Sequence, residues 1–118
     1  MTIKECYDYM DADYRETIER LMSDKLIYKF NQKFLESDDY DNLVKALDEK
    51  DYETAFRMSH NLKGMSLNLG YRGLQEVSSA ICEELRGGEP KADLNAMLAK
   101  VTEKYNLVLD GINKMSPV

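Results

Sequence analysis

Apolar residues return along this chain at helical spacing. Ile3, Cys6, Tyr7 and Met10 share one face of a short first segment, and Tyr14, Ile18, Leu21 and Met22 follow in a second, after Asp13. Ser23 and Asp24 give an N-cap signal, and Ile27, Phe30, Phe34, Val44 and Leu47 then keep the helical period. The polar run Ser37-Asp38-Asp39 either interrupts this helix or forms its wet face, and one long helix to about Glu49 is the preferred reading. Asp51 caps the next segment, which runs to Leu69, with Gly70 where helices end in a left-handed residue. Leu74, Val77, Ile81 and Leu85 mark another helix. Gly87-Gly88-Glu89-Pro90 closes it, and Pro90 suits an early position of the last helix. That helix carries Leu94, Leu98, Val101, Tyr105, Val108 and Ile112, and the tail from Met115 to Val118 is expected to fray.

Four long amphipathic helices joined by short loops bury their stripes at least cost in an antiparallel bundle. The expected fold is therefore all-α, a four-helix bundle with the short N-terminal helices packed at one end. A chain of 118 residues makes one domain, residues 1–118, with the bundle core at about 23–113. Composition agrees, since 43% hydrophobic and 32% charged residues with only six Gly and two Pro describe a globular helical protein.

Charge and chemistry exclude several classes. A net charge of -6 offers few cations for a phosphate backbone, so no nucleic-acid partner is expected. No apolar run approaches the roughly 18 residues of a membrane span, and the N-terminus has no apolar signal core. Cys6 and Cys82 follow no pairing pattern, which fits a reduced, cytoplasmic protein. A single His and no Cys-x-x-Cys leave no expected metal or cofactor of the chain's own.

The segment from Asp51 to Gly70 departs from a plain bundle helix. With His60 as origin, Ala55, Met58, Leu62, Met65 and Leu69 fall on the opposite side, so His60 points at solvent. Arg57 and Lys63 flank it at i-3 and i+3, Gly64 lies at i+4, and Phe56 and Leu67 share its side. A helical glycine costs about 1 kcal/mol relative to alanine. On the histidine side, its use is clearance that lets another molecule reach the imidazole. Lys63 and Arg57 are suited to stabilise a transferring phosphoryl group and a phosphohistidine. Exposed Phe56 and Leu67 suggest protein docking. Ser59 and Ser66 point elsewhere and supply no nucleophile for His60, and Ser66, nearer the core, is expected to hydrogen-bond a backbone carbonyl or fill packing. No Gly-rich loop precedes a Lys-Ser or Lys-Thr, so the chain has no ATP cradle and is not expected to be a kinase or other enzyme by itself.

The run His60-Asn61-Leu62-Lys63-Gly64-Met65-Ser66-Leu67-Asn68-Leu69-Gly70 resembles the motif of histidine-phosphotransfer (HPt) domains, His-x-Leu-Lys-Gly-x-Ser followed four residues later by Gly. The pattern from Phe34 through Leu85 is similar as well. The resemblance implies a four-helix bundle with an exposed His60 that exchanges a phosphoryl group with the aspartate of response-regulator receiver domains, including those of hybrid sensor kinases. It implies Lys63 beside the phosphate, Gly64 as the opening for the partner, and magnesium on the receiver. Arg86 matches a basic position of some relatives. Some relatives carry Gln or Glu, which orients the imidazole, where this chain has Cys82, a weak donor. A free-standing, monomeric carrier is the simpler reading. The alternative is an HPt-like adaptor that binds a receiver domain without phosphotransfer.

Overall fold

The computed structural model describes residues 1–118. Its seven helices are α1 (Ile3–Tyr9), α2 (Tyr14–Leu21), α3 (Asp24–Phe34), α4 (Asp39–Asp48), α5 (Tyr52–Leu69), α6 (Arg72–Leu85) and α7 (Leu94–Asn113). Five of them begin at a residue whose side chain accepts a backbone N–H of the first turn: Thr2, Asp13, Ser23, Asp51 and Asp93. α4 packs on α5, α5 on α6 and α6 on α7, and α4 also touches α7, which closes the ring. With α3 and α4 together as one arm, this is the expected four-helix bundle, 43 × 22 × 19 Å in extent.

That first arm is two helices, not one reaching Glu49. After Phe34 the backbone tightens, with the N–H groups of Leu35, Glu36 and Ser37 donating to the carbonyls three residues back. The Ser37 hydroxyl then accepts the Asp39 N–H at 3.3 Å and donates to the Asp39 carboxylate at 3.1 Å. A serine that offers the backbone a local partner competes with the helix ladder, and here it wins. Two other expectations also change. Pro90 lies outside the last helix, which starts at Leu94 with Asp93 as its cap. The tail is tied down, because Met115 is buried and the Ser116 N–H donates to the Met1 carbonyl at 2.8 Å.

The N-terminal helices clamp the end of the bundle where α5 turns into α6. Gly70 has φ +75°, and a Cβ there would strike Thr17. Its carbonyl accepts the Asp13 N–H at 2.7 Å. The Tyr7 and Thr17 hydroxyls both donate to the Leu69 carbonyl, at 2.8 and 3.1 Å, so the last buried carbonyl of α5 is satisfied from α1 and α2. Asn31 donates to the Tyr7 oxygen at 3.1 Å and accepts from the Tyr71 hydroxyl, which links α1, α3 and the start of α6 through one buried polar chain. The many tyrosines thus have structural work. Tyr40 and Tyr105 stack at 4.1 Å, and Phe34 meets Tyr71 edge-on at 5.1 Å.

Candidate functional site

α5 carries the site. Ala55, Leu62 and Leu69 are fully or nearly buried, and His60 is exposed on the opposite side, as the wheel predicts. The buried sector is nevertheless turned from the predicted one. Ser59 and Ser66 are completely buried, whereas Met58 and Met65 are only half-buried. Small side chains allow helices to approach closely, and the serines bring α5 against α6, where Ser78 and Cys82 are buried too. The Ser59 hydroxyl donates to the Phe56 carbonyl at 2.9 Å. Ser66 makes no such bond: its buried hydroxyl has no partner, nor has that of Ser78.

This rotation sorts the residues around His60. Lys63 and Arg57 diverge from it by about 60° to either side. Lys63 is on the α6 side and half-buried, and Arg57 is on the far side, exposed, with its guanidinium donating to Thr54 at 3.2 Å. Phe56, also toward α6, is half-buried against the core and stacks on the His60 ring, with centroids 6.2 Å apart and planes 27° apart. Leu67 is 47% exposed. A Cβ added to Gly64 would meet nothing within 4 Å. Packing against a neighbouring helix is therefore not what the glycine is for.

Arg86, at the end of α6, enters the group by a route the sequence did not reveal. Its guanidinium lies over the Phe56 ring, 5.3 Å from the centroid, and forks onto the Glu83 carboxylate at 2.9 to 3.2 Å. Glu83 is held below the usual carboxylate range, chiefly by Arg86, with a further contribution from Lys63. Cys82 is fully buried and makes no hydrogen bond to the imidazole. The i, i+3 spacing of Glu83 and Arg86 was visible in the sequence; their link to His60 depends on Phe56 reaching across to α6.

His60 lines none of the larger surface depressions. The widest surface depression, about 710 Å³, lies instead at α1, α2 and the start of α6, lined by Lys4, Asp8, Asp11, Asp13, Arg15 and Arg72 among others. No group of three His, Cys, Asp or Glu side chains is placed to hold a metal ion. An exposed imidazole outside the larger depressions, with cations and open space beside it, is suited to meet another macromolecule rather than to enclose a small substrate. A family model described as Hpt domain matches residues 33–111. The chain belongs to the Hpt domain family. Hpt domains are phosphocarriers of two-component relays, working with receiver domains and sensor kinases, so a general role in histidine phosphotransfer follows. The match begins at Lys33, and α1, α2 and most of α3 lie outside it. No match was found among curated proteins or among solved structures. No helix is long and apolar enough to cross a membrane.

Proposed function

We propose that residues 1–118 form one HPt domain whose His60 accepts a phosphoryl group from, and returns it to, the aspartate of a receiver domain. The observation that carries this reading is an exposed His60, the chain's one histidine, beside a Gly64 with empty space over it. A neutral His60 nitrogen attacks the phosphorus of the receiver's acyl phosphate in line. The N–P bond forms as the P–O bond breaks, and the aspartate leaves with the electron pair as a carboxylate. Lys63 stabilises charge on the phosphoryl oxygens, and Arg57 and Arg86 support it from either side. Phe56 and Leu67 supply apolar contact for the docked receiver. The magnesium of such transfers belongs to the receiver, whose carboxylate-rich site meets a locally basic patch on an acidic protein. The carrier acts as a monomer in the cytoplasm, with a transient interface.

The test is incubation with labelled, phosphorylated receiver domains, with wild type and His60→Gln compared. The expected result is acid-labile, alkali-stable label on the wild type alone. Label on His60→Gln would sink the assignment. Receiver binding without label transfer would replace the carrier with an adaptor.

A further inference from the structure

Glu83 has no task in phosphotransfer, yet its carboxylate holds Arg86, one of the cations assigned to the phosphoryl group. α6 lies against the edge of α5 that bears Phe56 and Lys63, and Cys82 is buried there. Glu83 and Arg86 are the charged groups that α6 brings to this edge, and they hold each other in a two-toothed ion pair. Arg86 lies over the Phe56 ring, and the same ring stacks on His60.

Resting on the carrier reading, we propose that Glu83 is the resident counter-ion of the phosphoryl site. Its carboxylate holds Arg86 across Phe56 while His60 is bare, and it yields Arg86 to the phosphoryl group when His60 is phosphorylated. Glu83 is thus a positioning residue that acts through Arg86. Its proton affinity is lowered first by the Arg86 ion pair, and the more distant Lys63 charge adds to it.

The exchange runs in the required direction. The side chains of Glu83 and Arg86 are 59% and 51% exposed, and a solvated pair of this kind is weakly held. A phosphoryl group carries about -1.5 to -2 charges and three acceptor oxygens, so it is the stronger ligand for a guanidinium. The guanidinium rests over Phe56, 5.3 Å from the ring centroid, and that ring is itself the neighbour of His60. The carboxylate also repels the phosphoryl group that displaces it. Glu83 therefore keeps the phosphorylated form from becoming a sink, which suits a carrier that must give up what it receives.

The test uses the whole chain and phosphoramidate, which transfers its phosphoryl group to imidazole with loss of ammonia and needs no cognate partner. His60 is the one histidine, so every phosphohistidine formed is at the site. In wild type, phosphorylation is expected to move the Arg86 Nε–H resonance, and His60→Gln is expected to show no movement under the same treatment. Glu83→Gln is expected to lengthen the phosphohistidine lifetime roughly two- to fivefold, the range set by exposed charge pairs. That gain is expected to shrink when Arg86→Gln is added. All these side chains are exposed, and unchanged melting profiles will show that the variants fold. An Arg86 resonance unmoved by phosphorylation, or equal lifetimes in wild type and Glu83→Gln, overturns the proposal. Label transfer from a receiver is judged separately. Transfer to His60 with no effect of Glu83→Gln removes the counter-ion and leaves the carrier standing.

Discussion

At Gly64 the demands of stability and of access pull apart. The residue sits inside α5 with nothing within 4 Å of a built Cβ. Gly64→Ala should therefore stabilise the protein by about 0.5–1 kcal/mol, the usual helix-propensity gain, measurable as a higher urea midpoint. Gly64→Gln should leave the fold intact and slow transfer from a receiver at least about tenfold, since one misplaced contact at a reacting centre has effects of that order. Unchanged transfer would show that clearance is not its role. Ser66 makes the opposite case, a buried hydroxyl with no partner. Ser66→Ala removes the desolvation cost and is expected to be neutral or stabilising by about 1 kcal/mol in the same assay. The sequence made Gly64 legible because a helical glycine breaks a propensity rule. It concealed Ser66, because whether a small polar residue finds a hydrogen bond depends on the neighbouring helix.

Periodicity located the helical segments but merged α3 and α4 into one, and its failures came where side chains compete with the backbone. Ser37 interrupts the first arm by capturing the Asp39 N–H, a choice that an apolar repeat cannot register. The rotation of α5 toward Ser59 and Ser66 was hidden for a related reason: a wheel of apolar residues gives no weight to serines, yet their small size sets the approach of α6. Arg86 was visible as a basic position, but its place over Phe56 is a property of two packed helices. The polar chain joining α1, α3 and α6 carries its own prediction. Burial pushes the Tyr7 hydroxyl from 10.0 up to about 12, and Tyr71 shifts the same way. The folded state thus holds the phenol protons more tightly than the unfolded chain. This stability is complete below pH 10 and is lost as pH rises from 10 toward about 12, by about 3 kcal/mol for Tyr7. Tyr7→Phe should lower stability near neutrality by about 1–2 kcal/mol, through the lost bond to the Leu69 carbonyl. It should also reduce the further loss between pH 8 and pH 11. Urea titrations at the two pH values measure both effects.

For the whole molecule, the bundle and the segment shared with the Hpt domain family are not the same extent of chain. The family match begins at Lys33, while Ile3, Cys6, Tyr7 and Met10 are as buried as any core residue. At about 1.5–3 kcal/mol for each large side chain, their burial rivals the roughly 5–15 kcal/mol net stability of a domain. Removal of residues 1–22 is therefore expected to abolish the cooperative thermal transition, although the His60 motif is untouched. A sharp transition in the shortened chain would show that α1 and α2 are dispensable. The two ends of the chain also meet. The Met1 ammonium donates to the Lys114 carbonyl at 2.9 Å, and the Ser116 N–H returns a bond to the Met1 carbonyl. The exposed Gly87-Gly88 loop follows α6, away from these bonds in the sequence. The order in which the helices are synthesised is thus separable from the shape they make: a permuted gene that joins Val118 to Met1 through a few flexible residues and opens between Gly87 and Gly88 should encode the same bundle, with His60 presented unchanged.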